Sequence, residues 1–69
     1  MRSMFSLEEV GEMLDMKTSD VEKEIESGHL TYSFHEGEKM ITLYDLEKYM
    51  GAEQTRKITN EYLEEQDTE

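Results

Sequence analysis

A chain of 69 residues carrying 7 basic against 18 acidic side chains, a net charge of −11 and no cysteine has room for one domain, without a disulfide framework or a thiolate zinc site. A field of that sign repels phosphate backbones and anionic lipid headgroups, because binding either requires lysine or arginine to replace condensed counterions; it favours basic protein partners. Met1-Arg2-Ser3-Met4 is too short for a signal peptide and no apolar run approaches a membrane span, so the expected location is cytoplasmic, with no membrane partner.

Ser6-Leu7-Glu8-Glu9 matches a capping box, and Leu7, Val10 and Leu14 follow at helical spacing, which predicts a first helix over 7–14. Gly11 lies on the apolar side of that helix, where a small residue lets a second helix approach closely. Asp15-Met16-Lys17 reads as a turn, after which Thr18 or Ser19 can cap a second helix with Val21 and Ile25 buried and Gly28 as its left-handed stop. Leu30, Tyr32 and Phe34 alternate with Thr31, Ser33 and His35, which predicts a half-exposed strand. Glu36-Gly37-Glu38-Lys39 is a polar turn and Met40-Ile41 returns the chain, completing a β-hairpin. A third capping pattern, Thr42 to Asp45, opens a helix with Leu43, Leu46, Tyr49 and Met50 on one face and Gly51 at its end. Beyond Gly51 the apolar residues thin to Ile58, Tyr62 and Leu63, consistent with a short amphipathic helix over 55–65 that needs a docking surface to persist, and Glu64 to Glu69 are expected to fray.

Taken together, Phe5-Ser6-Leu7-Glu8-Glu9-Val10-Gly11, Leu14-Asp15-Met16, Val21 to Ile25, Glu26-Ser27-Gly28-His29-Leu30, Glu36-Gly37, Ile41 and Asp45-Leu46-Glu47-Lys48-Tyr49 resemble the MerR-like helix-turn-helix of excisionases and small phage regulators. The likeness lies in spacing and hydrophobic pattern. It implies a mainly α fold with a small β-hairpin, a winged helix-turn-helix over residues 5–51 followed by an acidic tail over 52–69. It also implies that the second helix and the wing meet the partner, which in the family is DNA. Relatives carry alanine at the position of Gly11 and basic residues where this chain is acidic.

On the second helix the matching exposed residues are Lys17, Thr18, Ser19, Asp20, Glu22, Lys23, Glu24 and Glu26: two cations against four carboxylates, a net −2. The wing offers His35 and Lys39 with Glu36 and Glu38 between them. One carboxylate can accept from a cytosine amino group, but four on one helix would be desolvated against phosphate without compensation. The expected function is therefore a non-enzymatic regulatory or interaction module whose acidic face suits a basic protein surface. The alternative is a sequence-specific, excisionase-like or phage-terminase-like DNA binder using Lys17, Thr18, Ser19, Lys23 and Lys39. Ile58, Tyr62 and Leu63 would dock the tail, on the domain itself or as a homodimer contact. His29 and His35 stand apart with no cysteine or nucleophile-elbow serine near them, so no catalytic residue, metal ligand or cofactor is expected.

Overall fold

In the computed structural model, which describes residues 2–67, β1 (Met4–Ser6), α1 (Leu7–Leu14), α2 (Thr18–Glu26), β2 (Ser33–His35), β3 (Glu38–Thr42), α3 (Leu43–Met50) and α4 (Ala52–Asp67) follow one another. The described residues thus form four helices and one small three-stranded antiparallel sheet in the order β1-β3-β2. This arrangement is compatible with a winged helix-turn-helix.

Two reciprocal caps start helices where the sequence pattern placed them. Ser6 Oγ accepts from the Glu9 N–H at 3.1 Å and Glu9 Oε1 accepts from the Ser6 N–H at 2.9 Å. Thr42 Oγ1 accepts from the Asp45 N–H and Asp45 Oδ2 accepts from the Thr42 N–H, both at 3.0 Å. The second helix differs from expectation. It begins at Thr18 with Lys17 as N-cap and no side-chain cap hydrogen bond, so neither Thr18 nor Ser19 caps it. Its end is as read, with Gly28 at φ 85 and the His29 and Leu30 N–H groups both donating to Glu24 O.

Gly11 does more than admit a neighbouring helix. A Cβ at that position would lie 2.7 Å from Met16 O, a backbone atom of the turn after α1. Gly11 O in turn accepts the N–H of Met16 at 2.8 Å, and Asp15 takes the left-handed conformation that closes α1. A side chain at Gly11, alanine included, therefore requires the close turn to shift.

Three further features depart from the sequence reading. The sequence pattern shows no strand before the first helix, yet Phe5 pairs with Ile41 and Ser6 with Met40 across the sheet in β1. The strand expected over Leu30 to His35 forms only at Ser33–His35. Leu30 turns into the core at 2% exposure, while Tyr32 and Phe34 stand exposed. The third departure is the tail. It is helical from Ala52 through Asp67, so the fraying expected from Glu64 does not hold up to Asp67; Thr68 and Glu69 lie outside the described residues.

The tail helix is also part of the core. Phe5, Val10, Val21, Leu30, Ile41, Leu46 and Tyr62 make one buried cluster, with Leu7, Met13, Leu14, Met16, Ile25, Leu43, Tyr49, Met50 and Leu63 packed around it. Tyr62 meets Phe5 edge-on, ring centroids 6.3 Å apart at 81°. The buried line of α4 is Thr55, Thr59 and Tyr62, at helical spacing. Both threonines avoid stranded polar groups by bonding the preceding turn, Thr55 Oγ1 to Gly51 O at 2.7 Å and Thr59 Oγ1 to Thr55 O at 2.8 Å. The expected division at Gly51 is thus not a packing boundary, because the core draws on both sides of it.

Candidate partner-binding face

The face singled out by sequence is built on α2 and the hairpin. α2 presents one side to the core through Val21, which is fully buried, and Ile25, leaving Lys17, Thr18, Ser19, Glu22, Lys23 and Glu26 exposed. The hairpin stands beside it, with the exposed residues His35, Glu36, Glu38 and Lys39 around a two-residue turn. Between them runs a shallow groove lined by Ser6, Leu7, Glu8, Thr18, Glu22, Glu38 and Lys39. Thr18, Glu22, Glu38 and Lys39 come from both expected elements; Glu8, from α1, was not among the residues singled out. Its exposed carboxylate follows directly from the capping box, which points Glu9 inward and leaves Glu8 on the outer side of the first turn.

The groove carries three carboxylates and one ammonium. Lys39 is also engaged elsewhere, its Nζ lying 5.1 Å from the Tyr32 ring centroid.

Two residues assigned to the face behave differently. Glu24 is half-buried and turns towards α3, where its Oε1 accepts from Tyr49 Oη at 2.6 Å and its Oε2 lies 3.2 Å from His29 Nδ1. The Tyr49 hydrogen bond, with His29 second, holds the Glu24 carboxyl below its ordinary pKa, and the same bond raises that of Tyr49. Glu24 therefore ties α2 to α3 and is not free to meet a partner. Asp20 is likewise half-buried. His29 stays beside Glu24 and Ser27, and His35 Nε2 lies 3.5 Å from Glu36 at the exposed hairpin end.

The tail residues fall differently again. Tyr62 is core, and Ile58 and Leu63 are half-buried at its sides. Tyr62 Oη donates to Glu12 Oε1 at 3.0 Å and lies 3.5 Å from Glu9 Oε2. Burial, then the bond to Glu12, pushes the Tyr62 hydroxyl up to about 12. Glu9 also receives Arg2 Nη2 at 2.6 Å, and that contact brings its carboxyl down to about 2. Arg2 in turn covers the Phe5 ring at 4.9 Å. This small network fastens the N-terminal strand, α1 and α4 together, which is a structural task.

Asp45, 5% exposed, is the one buried carboxylate among the described residues. Burial works to raise its pKa, but hydrogen bonds from Thr31 Oγ1 at 2.6 Å and from Thr42 outweigh it and hold the group below the usual carboxylate range. Among the described residues, no three histidine or carboxylate side chains converge as a metal ion requires, and no helix is long and apolar enough to cross a membrane. No known family model, curated protein or solved structure matches the chain significantly.

Proposed function

We propose that the chain is a non-enzymatic interaction module, on a winged helix-turn-helix of the excisionase/MerR type, whose acidic α2 and hairpin face binds a basic protein surface. The observation that supports it best is the groove itself. Glu8, Glu22 and Glu38 line it with Lys39 as the single opposing charge, where a phosphate-binding face would need cations to displace counterions. The net charge of −11 carries the same sign outward, so a basic partner is drawn in and DNA or anionic lipid is repelled.

The test is equilibrium binding of the whole chain, by fluorescence anisotropy, to a labelled oligolysine peptide and to a short random-sequence DNA duplex. The proposal expects salt-sensitive binding to the peptide and none to the duplex. Salt-sensitive affinity of the unmodified chain for duplex DNA, with none for the peptide, would replace this reading with the DNA-binding regulator that the resemblance implies, contacting through Lys17, Thr18, Ser19, Lys23 and Lys39.

A further inference from the structure

β2 is an outer strand in the order β1-β3-β2, and all three of its residues are exposed. Glu36 at φ 52 and Gly37 at φ 83 make the two-residue turn to β3, the positive pair that a type I′ hairpin requires. Such a turn makes His35 and Glu38 the first hydrogen-bonded pair of the ladder. Alternation then leaves Phe34 and Lys39 as a pair without mutual hydrogen bonds, so the Phe34 N–H and C=O point outward from the sheet.

The same edge carries unusual side chains. Tyr32 and Phe34 are 39% and 65% exposed, and their rings meet edge-on with centroids 5.4 Å apart. Exposed edges are commonly guarded by shortness, lysine, proline or a bulge; Ser33-Phe34-His35 is short, but it holds no lysine or proline and pairs with β3 without a bulge. Carboxylates stand at its turn end, Glu36 within the turn and Glu38 opposite His35. A second copy of the chain would bring −11 against −11, whereas a basic strand would be attracted.

We propose that the outer edge of β2 takes up an extended, lysine- or arginine-bearing segment of the partner protein as an added strand. An apolar side chain of that segment covers Phe34 and its cations reach Glu36 and Glu38. The inference rests on the reading of the chain as a module for a basic partner and adds how that partner is held: main-chain bonds to Phe34 give affinity, and the flanking carboxylates select the sign of charge.

The test uses the full chain, labelled with ¹⁵N, and three synthetic peptides of alternating valine and arginine. One is unmodified; the other two are N-methylated on every second amide, one in each register, so that one edge of each cannot donate. The unmodified peptide is expected to bind and to protect the Phe34 amide from hydrogen exchange. Methylation in one register, or Phe34→Ala in the chain, should weaken binding by about tenfold or more. The methylated peptides leave the protein unaltered, so this arm does not depend on how a variant folds. Equal affinity for all peptides, with Glu8→Lys and Glu22→Lys still weakening it, overturns the added strand and leaves the basic-partner reading standing. Binding to no basic peptide overturns both. A concentration-dependent dimer of the chain that Phe34→Ala abolishes gives the edge to a second copy and also overturns the proposal.

Discussion

Replacing Tyr62 by alanine tests whether α4 belongs to the domain or merely follows it. The ring is 8% exposed and meets Phe5 edge-on at 6.3 Å, so its removal opens a cavity between α4 and the β1–α1 corner. Deleting a buried aromatic ring costs about 3–5 kcal/mol, and a domain of this length holds about 3–10 kcal/mol in total. The variant should therefore lose most of its stability. At about 4–8 °C per kcal/mol for small domains, the melting midpoint should fall by more than about 10 °C. Tyr62→Phe keeps the ring and loses the hydrogen bond to Glu12 and the longer one to Glu9, which together net about 1 kcal/mol at this partly wet site. Thermal and urea unfolding followed by far-ultraviolet circular dichroism distinguishes them. If Tyr62→Ala melted with the wild type, or no lower than Tyr62→Phe, then α4 would not be part of the core, and residues up to Gly51 would be the folding unit.

Other consequences follow from single contacts. Leu46→Asp and Val21→Asp each place an unpaired charge at a position with 0% exposure; both should abolish cooperative unfolding, as read by loss of the denaturation transition. Gly11→Ala gains up to about 1 kcal/mol of helix propensity but drives its Cβ to 2.7 Å from Met16 O, so the urea midpoint should fall; a rise would show that the turn after α1 can relax. Glu9 has a folded pKa of about 2 against an ordinary 4.5, so its contribution is complete above about pH 4.5 and disappears as the pH falls towards 2. Glu9→Gln, which retains the capping geometry, should flatten the loss of stability across that window relative to wild type, and an unchanged acid limb would contradict the role given to Arg2.

The sequence disclosed what rests on local chemistry. Both capping boxes, the Gly28 stop and the apolar faces of α1 and α3 come from spacings within one or two turns, and they appear where they were expected. What it concealed depends on partners distant in the chain. β1 has only three residues, too few to show a period of two, and exists because β3 is there to pair with it. The core line of α4 was hidden by its chemistry: Thr55 and Thr59 are buried polar residues satisfied by their own helix. Apolar spacing therefore picks out Tyr62 of the true stripe together with Ile58 and Leu63, which flank it, and passes over both threonines. Alternation predicts a half-exposed strand, whereas Leu30 alone of its apolar side turns inward and Tyr32 and Phe34 stand 39% and 65% exposed. For the candidate face on α2, exposure of most residues follows from periodicity, whereas the turning of Glu24 to Tyr49 requires the packing of α2 against α3.

The central claim is that the groove between α2 and the hairpin selects a basic partner, and matched charge reversals measure it most directly. One variant changes Glu8, Glu22 and Glu38 to lysine; the other makes the same change at Glu53, Glu61 and Glu64, exposed on α4. Both shift the net charge equally, so any difference reports position and not total charge. Measured by anisotropy against labelled oligolysine at one salt concentration, the groove variant should lose binding while the α4 variant retains most of it. Equal losses in the two variants would contradict the claim, since they would mean that only the overall charge attracts the peptide.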